Sequence, residues 1–281
     1  MSRDNTKEHL LQTILYGSSE IKNELKGIFN EILNNKWKYH RDPYYDLSKA
    51  ILTKLEGISV SKVLPESVLK LADLFWSYSE KEEDHFYRSR IEVEQHFGLE
   101  SNHSDYHPAS AYQTPIYWLL QFHLKETIDF ILNFTNKSVQ KYAISGFDNF
   151  VKKVDIFLED ENTQSQYVSH CLWNLYRGTG SPVSPYLLQS IHMALEKYFL
   201  EVGEKVESNI LENWLLYILR NTESASITSV VASIVLAFPD KTFNIAKILF
   251  KTKEYILNDT TRLVAEHGAK SLYSIGKNWG I

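Results

Sequence analysis

Residues 184–199 read SPYLLQSIHMALEKYF, and this stretch decides the fold class. Ser184 and Pro185 are residue types that commonly begin a helix. The apolar residues after them recur at helical spacing on one face, and they are Leu187, Leu188, Ile191, Ala194, Leu195 and Phe199. We therefore predict an α-helix that begins at Ser184-Pro185 and buries this face.

The same spacing recurs along most of the chain, in segments 10–15, 21–33, 47–55, 68–76, 116–122, 128–134, 210–219, 227–238 and 242–250, and we expect a last helix between residues 261 and 275. Short polar turns separate the segments, a pattern that is typical of stacked helix pairs. The sequence thus predicts an all-α fold, namely an α-solenoid-like stack, with a compact helical bundle as the alternative. A polar, His-rich stretch at 98–110 suggests a division into an N-terminal helical region (1–100) and a C-terminal helical-repeat region (101–281).

One segment departs from the helical pattern. Between residues 151 and 158 apolar side chains roughly alternate, the acidic turn 159–162 follows, and residues 164–168 continue in the same style. Alternation around a polar turn is the pattern of a β-hairpin. We predict one short hairpin near 151–168 with an exposed turn.

Composition limits the function classes. The chain carries 30 basic and 35 acidic residues, a net charge of −5 that gives no general attraction to nucleic acid or anionic membranes. Cys171 is the single cysteine, which fits a reducing compartment. The apolar run 227–238 is shorter than the roughly 20 residues of a membrane span. The sequence predicts a cytoplasmic protein without a membrane segment.

Arg90 and His96 form the one catalytic pattern to weigh. Five residues separate them in a helical pattern, and small all-α ribonucleases of the HEPN type use Arg-x(4–6)-His to activate a ribose hydroxyl. Glu92 and Glu94 lie beside them and would repel phosphate. We therefore predict no catalytic residue and a solvated helix face, and keep a HEPN-like RNA-cleaving effector as the alternative.

Two further patterns have simpler interpretations. His103 and His107 could share a helix face and bind a metal, but Pro108 disfavours helix at His107 and no second ligand pair is evident. We predict neither metal nor cofactor. His170 and Cys171 are neighbours, and neighbours in a helix point in different directions, so they cannot act as base and nucleophile.

A basic and aromatic stretch is the weak candidate for nucleic-acid binding. Its residues are Lys36, Trp37, Lys38, Tyr39, His40 and Arg41. Interleaved rings and cations could stack bases and contact phosphates. The alternative, which we favour, is a helix C-terminus whose cations complement the helix dipole while the rings fold back on the core.

Several stretches of the chain carry a family resemblance, and they are residues 107–115, 172–180, 187–190, 193–197, 230–233 and 239–243. They resemble internal segments of very large bacterial ATP-binding proteins of the STAND NTPase type, a class that includes antiphage defence sensors. This chain lacks the lysine loop that binds nucleotide phosphates, because Pro182 follows Gly178-Thr179-Gly180-Ser181. The resemblance therefore implies that any nucleotide chemistry lies on another chain, such as a separate NTPase subunit, or on a part of the protein that this sequence does not include.

Within the resemblance, the structural signature is Trp173, Tyr176, Arg177 and Gly178. Trp173 and Tyr176 are three positions apart, so they share a helix face, and Gly178 can end that helix in a left-handed cap. We expect both rings to be buried beneath the helix that follows Pro185. The sequence as a whole predicts a non-enzymatic scaffold or sensor that binds a protein partner.

Overall fold

A computed structural model describes residues 3–78, 92–101, 103–158, 162–177 and 185–278. This part of the chain is mostly helical, as predicted. The helices are α1 (Arg3–Tyr16), α2 (Lys22–Asn35), α3 (Tyr45–Thr53), α4 (Ile58–Val63), α5 (Pro65–Trp76), α6 (Val93–His96), α7 (His103–Tyr106), α8 (Ile116–Phe122), α9 (Leu124–Ile144), α10 (His170–Asn174), α11 (Tyr186–Gly203), α12 (Ser208–Asn221), α13 (Ala225–Ala237), α14 (Phe243–Phe250) and α15 (Lys253–Asn278).

The longer helices form two stacked layers. In the first layer α4 packs against α8, α8 against α11, and α11 against α13. In the second layer the order of contacts is α2, α5, α9, α12 and α14. Pairs such as α4 with α5, α8 with α9, and α13 with α14 join the two layers. The arrangement confirms the predicted all-α fold, and the choice between a solenoid-like stack and a compact bundle stays a prediction.

The helix predicted from residues 184–199 is α11, and it lies at the centre of the stack. Leu188, Ile191 and Ala194 are fully buried, because α8 and α13 cover opposite sides of α11. Lys241 fastens the C-terminal end, since its Nζ donates hydrogen bonds to carbonyl oxygens of Gly203, Glu204 and Val206. The cation thereby satisfies carbonyls that a helix end leaves without partners.

The β-hairpin is also confirmed. Strands β1 (Lys152–Phe157) and β2 (Thr163–Val168) pair antiparallel, with Lys152 opposite Val168 and Phe157 opposite Thr163. Ile156 and Val168 are buried on the face toward the helices. The backbone N–H of Tyr167 donates to the carbonyl of Glu223, which ties the hairpin to the segment between α12 and α13. Residues 159–161 of the predicted acidic turn lie outside the described residues.

The C-terminal helix is longer than the sequence indicated. We predicted a helix between residues 261 and 275, whereas α15 extends from Lys253 to Asn278. No helix in the described ranges is both long and apolar enough to cross a membrane. Helices α4 and α5 pack against α8 and α9 across residue 100, and the division at that residue stays a prediction.

Candidate binding groove

A cleft with a volume of about 560 Å³ lies over α5, between α2 and α9. We call it the α5 groove. Apolar side chains line it, and they are Leu33, Leu69, Leu74, Phe130 and Phe134. Polar side chains share the lining, and they are Lys36, Glu66, Lys70, Asp73, Asn133 and Lys137. The groove exists because α5 turns Val68, Leu71 and Ala72 into the core and leaves its opposite side uncovered.

Two of the groove lysines are not neutralised. Lys70 forms an exposed ion pair with Glu66 at 2.7 Å. The side-chain ammonium groups of Lys36 and Lys137 are exposed and have no ion-pair or hydrogen-bond partner within the ranges that the structure describes. Lys36 comes from the α2 wall and Lys137 from the α9 wall. The groove therefore presents an apolar lining with a free cation on each side.

Local backbone geometry places Lys36 there. It ends α2 in the left-handed conformation, with φ of 55°, and its N–H donates back to carbonyls of that helix. Lys38, two residues on, turns inward instead. It is buried, pairs with the carboxylate of Glu100 and donates to the carbonyl of Ser77 at 2.8 Å.

The remainder of the stretch 36–41 forms a turn. The Asp42 carboxylate accepts the backbone N–H groups of Lys38 and Tyr39, at 2.8 and 2.7 Å, and Trp37 packs against the core. The position at the end of α2 agrees with the preferred interpretation, but of the two aromatic rings only Trp37 folds back on the core, and Tyr39 is exposed. Only Lys36, Tyr39, His40 and Arg41 are exposed, so no continuous row of cations and rings is available to a nucleic-acid strand.

A smaller polar cavity of about 130 Å³ lies beside this turn. Two ion pairs line it, Lys38 with Glu100 and Lys49 with Asp105, the latter at 2.7 Å. Each cation is matched by a carboxylate of the protein itself. The cavity therefore has no spare charge with which to select a ligand.

Of the alternative RNA-cleaving pair, the structure describes His96 alone. Arg90 lies outside the described residues, so the pair stays untested. His96 ends α6, and its ring lies against the Phe147 ring with centroids 4.3 Å apart. Burial lowers the pKa of His96 below its usual value. This imidazole is consequently biased toward the neutral form.

A serine–histidine contact appears where sequence reasoning did not expect one. The His192 Nε2 lies 3.1 Å from Ser226 Oγ, and Ser226 Oγ lies 2.7 Å from Ser224 Oγ. All three side chains are fully buried within the helix stack. A nucleophile needs access to its substrate, so we interpret this cluster as structural. The residues lie on α11 and at the start of α13, and nothing in their local sequence signals the contact.

The signature residues bind the C-terminal helix. Trp173 and Tyr176 are both buried, as predicted, and the Trp173 ring stacks on Tyr255 of α15 at 5.0 Å. The Trp173 indole N–H donates to Asp259 at 3.2 Å, and Arg262 donates to the Tyr176 hydroxyl. Asp259 and Arg262 also form an ion pair. Tyr176 lies in the turn that α11 packs against, as expected, whereas Trp173 lies on α10, which packs against α13 and α15. The sequence did not predict the contact with α15.

Two other signature residues are less informative. Arg177 ends a short 3₁₀ turn that α11 packs against, and its side chain lies outside the described part of the chain. Gly178 lies outside it altogether.

His107, considered above as a metal ligand, sets its ring edge-on against Tyr186, with centroids 4.9 Å apart. Within the described ranges no three His, Cys, Asp or Glu side chains are close enough together to hold a metal ion.

Comparison with known proteins adds no identification. The sequence matches no protein-family model, and no curated protein shows significant similarity to it.

Proposed function

We propose that this chain is a non-enzymatic helical scaffold that binds a partner protein through the α5 groove. The observation that carries the proposal is the groove itself, which combines an apolar lining with cations that are free on both sides. Stacked helix pairs commonly bind partners along such concave surfaces. An apolar cleft of this size buries side chains of a partner, which provides most of the free energy of association.

The proposed setting is a cytoplasmic bacterial antiphage defence assembly in which a separate STAND-type NTPase supplies the nucleotide chemistry. The supporting observations are the resembling segments and the proline after Gly178-Thr179-Gly180-Ser181. In this setting the chain contributes a binding surface or a sensor arm, and an NTPase is its first expected partner.

The test begins with the coding sequence next to that of this chain. We expect it to encode a STAND-type NTPase, and we expect the two purified proteins to co-elute as a complex in size-exclusion chromatography. A neighbouring gene of unrelated function together with a chain that remains alone would contradict the proposal.

The same preparation tests the enzymatic alternative. The purified chain is expected to leave labelled single-stranded RNA intact, and His96→Ala is expected to change no activity of the assembly. RNA cleavage that His96→Ala abolishes, with the circular dichroism spectrum unchanged, would replace the scaffold by the HEPN-like effector.

A further inference from the structure

We infer that the α5 groove binds an acidic amphipathic helix of the partner protein. This inference rests on the proposed function and specifies what the groove recognises. It follows from the charges and dimensions of the groove, which favour one kind of occupant over the others.

The dimensions suit a helix that lies on the surface of α5. Adjacent packed helices lie roughly 8–10 Å apart, so α2 and α9, on either side of α5, are roughly 16–20 Å apart. Because these are distances between helix axes, the gap between the walls is narrower than a helix of roughly 10–12 Å with its side chains, and a bound helix would lie along the exposed side of α5. The 12 residues of α5 span about 18 Å, which corresponds to about three turns of a bound helix.

The lining sets the chemistry of the occupant. Leu33, Leu69 and Leu74 offer aliphatic surface to one face of a bound helix. Lys36 and Lys137 stand on opposite sides of that surface, so carboxylates on both flanks of the helix would find a cation. The lining carries three lysines and two carboxylates, and since Lys70 pairs with Glu66, Lys36 and Lys137 leave the groove with a positive net charge.

A nucleic-acid strand fits the groove less well. Binding of single strands depends on exposed aromatic faces on which bases stack. Phe130 and Phe134 instead stack on each other at 5.5 Å, and Phe134 is buried.

The experiment uses three labelled helical peptides of about 15 residues and fluorescence anisotropy with the full chain. The first peptide has Leu on one face and Glu on both flanks, the second has Lys in place of Glu, and the third has Ser in place of Leu. We expect the first to bind at least tenfold more tightly than either of the others, because only it matches both the apolar lining and the free lysines.

Charge reversal in the protein locates the site. Lys36→Glu and Lys137→Glu change exposed side chains, so we expect both variants to fold. The double variant should bind the first peptide at least tenfold more weakly than the wild type does. Lys205→Glu, an exposed lysine after α11, is the matched control and should leave binding unchanged.

The inference is overturned if the Lys peptide binds as tightly as the Glu peptide, or if a single-stranded RNA of about 15 nucleotides binds more tightly than the Glu peptide. It is also overturned if the double variant binds the Glu peptide as tightly as the wild type does. No detectable binding of the Glu peptide at millimolar concentration would also overturn it. A different experiment tests the scaffold proposal, namely the co-elution of the chain with the NTPase. If the NTPase still co-elutes with the double lysine variant, the α5 groove is not the binding site. The chain would then be a scaffold that binds its partner through another surface.

Discussion

At the scale of single residues, Trp173 shows what the sequence could and could not predict. Its burial and that of Tyr176 follow from their i, i+3 spacing next to a helix end. The stacking on Tyr255 and the bond to Asp259 join residues more than 80 positions apart, and no local pattern indicates such a pairing.

Trp173→Ala is expected to lower the free energy of unfolding by about 3–5 kcal/mol, the usual cost of deleting a buried ring. The variant leaves a cavity against α15 and removes the donor to Asp259. Urea denaturation of both proteins measures the difference. Trp214→Ala, at a partly exposed ring, is the control and should cost clearly less. A loss below about 1 kcal/mol for Trp173→Ala would contradict the structural role and favour a partner-binding role for this ring.

His192 should make stability depend on pH. Burial lowers the pKa of His192 to about 4, while an unfolded chain has a histidine pKa of about 6.5. Between these values the unfolded state binds a proton that the folded state excludes, so the contribution of this residue to stability falls as the pH drops from 6.5 toward 4. The loss reaches roughly 3 kcal/mol at the lower end.

His192→Gln isolates this contribution, because a glutamine amide can still accept from Ser226 but does not titrate. Urea midpoints at pH 7.5, 6.0 and 5.0 should show the wild type losing stability faster than the variant as the pH falls. Parallel curves for the two proteins would show that His192 does not titrate as described.

At the scale of elements, local patterns predicted most of the secondary structure. The apolar spacing at 184–199 predicted α11, and the alternation on both sides of residues 159–162 predicted the two strands. The start of α15 was missed because the segment 253–260 is mixed in polarity. Its Tyr255 is buried against the Trp173 ring, its Asp259 pairs with Arg262, and its Ile256 remains exposed. Tertiary contacts, rather than helical amphipathicity, define that end of the helix.

Arg262 should hold α15 on the stack. Its guanidinium is buried, pairs with Asp259 and donates to the Tyr176 hydroxyl. Arg262→Met keeps the bulk of the side chain but removes the donor to the Tyr176 hydroxyl and the cation beside Asp259, which keeps only the Trp173 N–H. We expect faster hydrogen exchange in residues 253–264 and unchanged exchange in α2. The control Arg220→Met removes an exposed arginine of α12 and should leave α15 protected. Equal effects of the two variants would show that the ion pair does not anchor α15.

At the scale of the whole molecule, the layered stack was predictable and the groove was not. Short turns between amphipathic helices indicate which helices are neighbours along the chain. The α5 groove depends on Lys36 and Lys137, about one hundred positions apart, and on α5 lying between α2 and α9. Whether a surface lysine finds an ion-pair partner is decided by packing between distant elements, which apolar spacing does not encode. Lys38 illustrates this, since it is buried against Glu100 while Lys36 remains free.

Substitution of Trp76 can test whether the predicted regions 1–100 and 101–281 unfold together. This fully buried ring of α5 donates from its indole N–H to the Tyr106 hydroxyl at 2.7 Å. It also contacts the rings of Phe130 and Phe134 on α9, at 6.0 and 5.7 Å. One side chain thus joins the region before residue 100 to the region after it. Contacts of this kind couple neighbouring units of a helical stack.

Trp76→Ala should therefore lower the free energy of unfolding by about 3–5 kcal/mol and reduce protection in both regions. Hydrogen exchange followed by mass spectrometry measures this, with α2 reporting on the first region and α12 on the second. Leu10→Ala, at an exposed side chain, is the control and should change neither. Faster exchange in α2 with α12 unchanged would mean that the chain unfolds as two units. In that case residue 100 would separate two regions of independent stability, because the loss of their shared ring would not reach the second one.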